Sequence, residues 1–182
     1  MGEIRKVDPV KLIAGIIYSD ELFTGKAVNM MVSEYGDIDI ETEPVKFDQT
    51  DYYADEMGGE LYRKFISFEK LIAPNSLSAV KRFTNDIELR FALPGCEGPK
   101  RRINIDPGYL ELSKLVLAST KNFSHRVYLG NGIYGEVTMI YRGNRFNYLE
   151  WTYPDYQTDY ARIFLEKARA QYNLQLNDCR PR

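Results

Sequence analysis

The sequence contains few of the residues that bind metals or act as nucleophiles in enzymes. Its 182 residues include one histidine, His125, and two cysteines, Cys96 and Cys179, which lie far apart without a CxxC spacing. Structural zinc sites use about four cysteine or histidine ligands, so the usual zinc arrangements are excluded. We therefore expect two free thiols and, at His125, one imidazole that can exchange a proton near neutral pH.

Long apolar runs and an excess of one charge are absent as well. The apolar run from Leu12 to Ile17 is too short for a signal peptide or a membrane span. Lysine plus arginine (24) nearly balances aspartate plus glutamate (26), so no global field attracts nucleic acid or anionic lipid. We expect a cytoplasmic protein without membrane or nucleic-acid partners, and no pattern specifies an oligomeric state or a cofactor.

The composition is otherwise that of a globular protein. Hydrophobic residues make up 44% of the chain and charged residues 27%, which is enough apolar material for a substantial core. No linker interrupts the sequence, so we expect a single domain over residues 1–182. Fourteen of the aromatic residues are tyrosines, whose rings can fill a core while their hydroxyls find polar partners.

The periodicity of the first half predicts alternating strands and helices. Residues 11–18 form a nearly continuous apolar run, typical of a central strand that is buried on both faces. Ser19 and the two acids after it can cap a helix that ends at Gly36, and a second helix starts at Pro74 and ends before Leu93. Further strands are predicted at residues 37–42 and 62–72. This order is that of a ferredoxin-like split βαβ unit.

The second half reads as strands separated by turns. Strands are predicted at residues 102–105, 110–118, 126–129, 133–141 and 146–151, and a last helix at 158–174. Turn signals stand at Pro107-Gly108, at Gly130 to Gly132 and at Gly143-Asn144. We expect an α+β fold, with a ferredoxin-like βαββαβ half extended by an antiparallel β meander and a C-terminal helix. The alternative is a generic antiparallel sheet with helices packed on one face.

The glycine-rich stretch at residues 130–137 matches the loop pattern of protein kinases, and its start matches the dinucleotide fingerprint. A dinucleotide site needs a helix that opens at the loop, whereas residues 137–141 continue as a strand. The other kinase signatures and a phosphate-binding P-loop are missing from the sequence. We therefore interpret the stretch as a tight hairpin.

The polar stretch at residues 119–126 is the first candidate site. It contains Lys121, His125 and Arg126 with three hydroxyl side chains, and such a loop can hold an anion while the imidazole moves a proton. Glu88 falls inside the apolar stripe of the second helix, where a carboxylate needs a partner. The alternative is a solvated hairpin loop in which His125 binds a backbone carbonyl.

Two further clusters combine acids with aromatic rings, as the walls of ligand pockets do. One contains Asp106 and Tyr109, and the other contains Trp151 and Asp155. A purely structural role at strand ends is the alternative for both. The acidic residues of the 48–56 segment could bind magnesium or calcium, but their spacing fails the EF-hand pattern and favours a solvated loop. These acids are Asp48, Asp51, Asp55 and Glu56.

Several motifs together resemble an uncharacterised prokaryotic family, domain of unknown function 4416. They are Tyr52-Tyr53 to Met57-Gly58, residues 84–88 (Thr-Asn-Asp-Ile-Glu), residues 104–109, residues 116–121, His125-Arg126 and residues 151–156. The resemblance extends from Lys11 to about Tyr172. It implies that these polar positions belong to a pattern shared by the family, and it implies no activity.

Two classes of function follow from these observations. The first is a ligand-binding protein or enzyme for a small anionic, possibly phosphorylated, molecule. Lys121 and Arg126 would hold the anion, His125 or Glu88 would move a proton near Asp106, and an aromatic ring of Tyr109 or Trp151 would stack on the ligand. We expect His125 and Arg126 to face one pocket with Asp106 or Glu88. The alternative is a non-catalytic interaction or assembly module with an exposed aromatic surface.

Overall fold

The computed structural model describes residues 2–4, 6–48, 54–58, 60–95 and 100–179. Nine strands and four helices form within these residues. The strands are β1 (Val10–Tyr18), β2 (Ile38–Glu41), β3 (Val45–Lys46), β4 (Tyr62–Ile72), β5 (Ile103–Leu110), β6 (Lys114–Ser119), β7 (Val127–Gly130), β8 (Ile133–Arg142) and β9 (Arg145–Tyr148). The helices are α1 (Glu21–Tyr35), α2 (Ala54–Met57), α3 (Leu77–Arg90) and α4 (Asp159–Cys179). Cys96 and the side chain of Cys179 lie outside this description.

All nine strands belong to one antiparallel sheet. Its order is β2-β4-β1-β5-β6-β8-β7, with β3 also paired to β4 and β9 also paired to β8. Every residue of β1 is buried, and β1 pairs with β4 on one side and β5 on the other. The prediction of a central strand at residues 11–18 is therefore confirmed.

The predicted α+β class is confirmed as well. The first half has the order strand, helix, strand, strand, helix, strand, apart from the short additions β3 and α2, and β4 lies between β1 and β2. The stricter description of this half as ferredoxin-like stays a prediction. In the second half β6 pairs with β8, and β7 and β9 share the opposite edge of β8, so the meander is not strictly sequential.

Helices cover both faces of the sheet. Alternate residues of a strand point to opposite faces, and Leu12 and Ile16 pack in one cluster with α1 and α3. Ile13 packs on the other face with Phe164 and Leu165 of α4. The alternative fold with helices on one face is therefore wrong. No helix in the described part of the chain is long and apolar enough to cross a membrane.

The ends of α1 show how the sequence sets its boundaries. Asp20, rather than Ser19, is the N-cap, because its Oδ1 accepts hydrogen bonds from the backbone N–H of Leu22 (3.0 Å) and Phe23 (3.3 Å). Gly36 ends the helix at a φ of 91°, a value that glycine adopts without a side-chain penalty.

The predicted turn at Pro107-Gly108 is wrong, since both residues lie inside β5. Pro107 lacks an N–H, but it pairs across from Ala14 with its nitrogen on the outer edge of β5, where pairing with β6 has not begun. At Gly108 a Cβ atom would lie 2.5 Å from the Val116 carbonyl oxygen. Proline therefore stands where no ladder bond is needed, and glycine where β6 approaches closely.

The glycine-rich hairpin is confirmed. Gly130, Asn131 and Gly132 have φ values of 102°, 55° and 77° and join the antiparallel strands β7 and β8. The Gly143-Asn144 turn likewise joins β8 to β9. β7 begins and ends one residue later than predicted, and β9 ends three residues earlier than predicted, so Arg126 precedes β7 and Trp151 follows β9.

Candidate functional site

The candidate site lies where β5 and β6 separate. β5 pairs with β6 only from Gly108 to Leu110, whereas β6 pairs with β8 along its whole length. Side chains of α3 take the place of a strand partner for Ile105. Its N–H donates to Glu88 Oε1 (2.7 Å), and its carbonyl accepts from Lys81 Nζ (2.7 Å). Both backbone groups are thereby satisfied at a buried position.

A cavity of about 780 Å³ adjoins this separation. Its volume falls in the range of pockets for small organic ligands. Its walls come from the end of β1, α3, β5, β6, β8 and the segment that precedes α4. The lining residues used below are Ile17, Phe47, Lys81, Glu88, Leu89, Arg101, Asn104, Asp106, Leu117, Ser119, Thr120, Lys121, Glu136, Tyr153, Pro154, Asp155 and Tyr156.

A buried arginine holds two of the cavity carboxylates. The side chain of Arg63 is only 2% exposed, and its Nη2 lies 2.7 Å from Asp155 Oδ2 while its Nη1 lies 3.9 Å from Asp106 Oδ2. The guanidinium carbon also lies 4.6 Å from the ring centre of Phe65. A Cβ atom at Gly15 would overlap the guanidinium, so Gly15 provides the space for Arg63. Burial raises the pKa of Asp155, and the Arg63 charge opposes this.

A second arginine, Arg101, connects two glutamates beside the cavity. Its Nε and Nη2 donate to the two oxygens of Glu56 at 2.7 Å each, and its Nη1 donates to Glu88 Oε2 (3.3 Å) and Asn104 Oδ1 (2.8 Å). The hydrogen bond from Arg101 lowers the pKa of Glu56. Burial raises the pKa of Glu88 despite the Lys81 charge. The two carboxyl groups are thus perturbed in opposite directions.

Glu136 is the buried centre of a third cluster. Its Oε2 accepts from Arg126 Nε (2.7 Å) and lies 3.0 Å from His125 Nε2. The ring of Trp151 stacks on His125 with centroids 4.7 Å apart and planes 6° apart. Arg126 Nη2 also donates to the Tyr153 hydroxyl (2.8 Å), and burial raises the pKa of Tyr153 to about 12.

The predicted site residues fall into two groups. Four of them line the cavity, and these are Glu88, Asp106, Lys121 and Asp155. His125 and Arg126 contact the cavity wall through Glu136, and both can do so because neither lies in a strand. Trp151 stacks on His125, whereas Tyr109 packs against a separate apolar cluster with Leu77 and Val116. The chemical roles assigned to these residues stay predictions.

Four charged residues of the site were missed in the sequence. Lys81 stands seven residues before Glu88, so two helical turns place both on the same face of α3, and this spacing is a usable signal. Glu136 lies among mainly apolar residues of β8, where a charge indicates a buried partner, whereas Arg63 lies beside Lys64 in β4 and gives no such signal. Arg101 lies before β5 in a region that sequence patterns do not define.

The described residues hold no group of three or more histidine, cysteine, aspartate or glutamate side chains that could bind a metal ion. In the acidic segment, Glu56 pairs with Arg101, while Asp51 and the side chain of Asp55 lie outside the description. The prediction of a solvated loop there is thus only partly covered by the structure.

Fold and site define an α+β protein with a ligand-sized cavity of polar and apolar side chains at a separation between two strands. The chain belongs to the family described as Domain of unknown function (DUF4416), whose model matches residues 8–172. The resemblance inferred from the motifs is thereby confirmed. Comparisons with curated proteins and with solved structures found no significant match.

Proposed function

We propose that this protein binds a small organic anion in the cavity between β5 and β6. The observation that carries the proposal is the set of residues that lines the cavity. The buried carboxylates Glu88 and Glu136 are hydrogen-bonded to protein donors, and the lining also includes two residues with hydroxyls, Ser119 and Thr120, and the cationic Lys121. Groups of this kind bind phosphate or carboxylate oxygens.

The negative charge of the walls is compensated within the protein. Both oxygens of Glu88 accept hydrogen bonds, from the Ile105 N–H and from Arg101. Glu136 is 1% exposed, and its Oε2 is engaged by Arg126 and lies beside His125. These acids therefore repel an incoming anion less than their number suggests, because each has a cation within hydrogen-bond distance.

The remaining walls suit the carbon skeleton of a ligand. Ile17, Phe47, Leu89 and Leu117 provide apolar surface, and Tyr153 is 40% exposed. Most ligand pockets combine such apolar walls with a few polar groups that fix orientation. A purely inorganic anion would leave this surface without contacts, which favours an organic one.

The site also contains groups suited to proton transfer. Burial raises the pKa values of Asp155 and Glu88, so each retains its proton to a higher pH than an exposed carboxyl group does. A protonated carboxyl beside a bound ligand can act as a general acid. This supports extending the proposal from binding to acid–base catalysis, with Asp155 as the donor, since both oxygens of Glu88 already accept hydrogen bonds from the protein.

Thermal-shift and calorimetric titrations test the binding proposal. Inorganic phosphate, citrate and glucose 6-phosphate serve as probes, and a probe at 100 times its dissociation constant should stabilise the fold by about 2.7 kcal/mol. Lys121→Ala should weaken binding roughly tenfold, since it removes one charged contact. The control is Lys26→Ala, an exposed lysine of α1 outside the cavity. Equal binding by both variants, or no binding of any probe, would contradict the proposal.

One observation favours the alternative of an interaction module. Exposed apolar side chains stand at and near the edge strand β7, namely Phe123 (64%), Val127 (69%) and Tyr128 (59%). An unpaired strand edge of this kind can add a strand from another chain. Light scattering of the wild type and of Val127→Lys tests it, because a self-associating edge should dissociate when it gains a charge. A monomeric wild type would count against self-assembly through this edge.

A further inference from the structure

Asp106 differs from the other carboxylates of the cavity. Its side chain is 30% exposed, compared with 6% for Glu88 and 1% for Glu136. Its Oδ2 accepts from Asn104 Nδ2 at 2.7 Å. The nearest cations are longer contacts, at 3.6 Å from Oδ1 to Lys81 Nζ and 3.9 Å from Oδ2 to Arg63 Nη1. Within the described residues Oδ1 accepts no hydrogen bond, so it can accept one from a ligand.

Tyr156 is another residue that lines the cavity. Tyr156 is 1% exposed, and its hydroxyl has no hydrogen-bond partner in the described part of the chain. It lies above Gly15, where an added Cβ would be 2.7 Å from it. Buried hydroxyls are nearly always hydrogen-bonded, so this one calls for an explanation. A ligand group that completes its hydrogen bonding is one.

Asp106 and Tyr156 are connected through Arg63. The guanidinium carbon of Arg63 lies 5.2 Å from the Tyr156 ring centre, and its Nη1 lies 3.9 Å from Asp106. Burial is the main cause of the raised pKa of Tyr156, and the Asp106 charge adds to it. Asp106 Oδ1 and the Tyr156 hydroxyl, which both have unused hydrogen-bonding capacity, therefore belong to side chains that lie beside the same arginine.

We propose that Asp106 and Tyr156 together recognise a hydroxyl group of the ligand, which donates to Asp106 Oδ1 and accepts from the Tyr156 hydroxyl. A hydroxyl has both a donor and acceptor lone pairs, and so matches this pair. An ammonium group is disfavoured because Arg63 and Lys81 already lie within 4 Å of Asp106, and because it offers no acceptor to Tyr156. Resting on the proposed function, this makes the ligand class hydroxylated organic anions, such as sugar phosphates or hydroxy acids.

The test uses two phosphates of similar length, glucose 6-phosphate with hydroxyls and n-hexyl phosphate without them. Calorimetry gives the ratio of their dissociation constants, which cancels the contribution of the shared phosphate. Tyr156→Phe and Asp106→Asn should each reduce the preference for glucose 6-phosphate, by roughly fivefold and roughly tenfold, because neutral and charged hydrogen bonds are lost. Lys121→Ala should weaken both phosphates equally and leave the ratio unchanged.

The outcomes separate the two proposals. Binding of both phosphates with a ratio that neither substitution changes would overturn hydroxyl recognition and leave anion binding intact. No binding of either phosphate would overturn both. Tyr156→Phe removes only the unpartnered hydroxyl, so its melting temperature should equal or exceed that of the wild type. It therefore keeps the test decisive even if Asp106→Asn fails to fold.

Discussion

Glu88 accepts a hydrogen bond from the backbone N–H of Ile105 at 2.7 Å. The carbonyl of the same residue accepts from Lys81 at 2.7 Å, so two side chains of one helix occupy the position of a neighbouring strand. The sheet can separate at this point without leaving buried backbone groups unsatisfied. The cavity that we propose as the ligand site lies where these two side chains take the place of a strand.

Removing the Glu88 carboxylate should therefore destabilise the fold strongly. Glu88→Ala leaves the Ile105 N–H without an acceptor and removes a buried carboxylate 3.9 Å from Lys81 Nζ, which should cost about 3 kcal/mol of the free energy of unfolding. The matched control is Asp86→Ala, an exposed acid of the same helix, for which we expect a change within about 0.5 kcal/mol. Urea denaturation measures both. Similar losses in the two variants would contradict the structural role of Glu88.

The two glutamates on Arg101 should give opposite pH dependences of stability. Burial raises the pKa of Glu88 in the folded state, so its contribution is present at low pH and is lost as pH rises through the folded pKa. The Arg101 hydrogen bond lowers the pKa of Glu56, so its contribution is present at higher pH and is lost as pH falls through the folded pKa. The unfolded reference is about 4.3 for both.

Glu88→Gln and Glu56→Gln isolate these contributions, because glutamine does not titrate. The stability of the wild type relative to Glu88→Gln should fall with rising pH above about 4.3. Relative to Glu56→Gln it should fall with decreasing pH below about 4.3. Denaturation series from about pH 3 to about pH 8, a range that includes the reference pKa of glutamate, supply the measurement. The same sign for both glutamates would contradict either the burial of Glu88 or the hydrogen bonds between Glu56 and Arg101.

Gly15 should not tolerate a methyl group. Gly15→Ala would push a Cβ into the Arg63 guanidinium and to 2.7 Å from the Tyr156 hydroxyl, and both of these side chains are almost fully buried. We expect a loss of roughly 2–3 kcal/mol in unfolding free energy. The control is Gly25→Ala in α1, where nothing lies within 4 Å and alanine should stabilise the helix by about 0.5–1 kcal/mol. A neutral Gly15→Ala would show that Arg63 does not lie over this residue.

Arg126 should matter mainly as the partner of Glu136. Arg126→Ala leaves a carboxylate that is 1% exposed without its 2.7 Å contact, and we expect a loss of about 3 kcal/mol. The double variant Arg126→Ala/Glu136→Ala removes both charges and should be less destabilised than the sum of the single changes by about 1–3 kcal/mol. Additive losses would mean that the two side chains act independently.

The sequence pattern was most informative where one local rule applied. The apolar run of β1 predicts a central strand. Gly130 and Gly132 predict the tight turn between β7 and β8, because glycine adopts the positive φ values that this turn requires. The Pro107-Gly108 dipeptide misled because the same two residues suit a turn and a strand edge that approaches a neighbour closely. Only the register of β5 and β6 decides between these interpretations, and register depends on tertiary packing.

The candidate site could be predicted only in part for a related reason. Asp106, Glu88, Lys121 and Asp155 stood out as polar residues in recognisable local contexts, and they line one cavity. Arg63 gave no comparable signal, because its burial over Gly15 and between two carboxylates arises from three separate strands and the 3₁₀ helix that carries Asp155. Sequence periodicity reports the face on which a residue lies and does not report its distant partners.

Methyl chemical shifts during a titration with glucose 6-phosphate test the central claim most directly. Leu89 and Leu117 line the cavity, whereas Leu165 of α4 packs in the core and Val127 lies on the exposed edge strand. Binding in the cavity predicts saturable shift changes at Leu89 and Leu117, with little change at Leu165 and Val127, and a roughly tenfold weaker titration for Lys121→Ala. Changes confined to Val127, or no saturable change at either cavity leucine, would contradict ligand binding between β5 and β6.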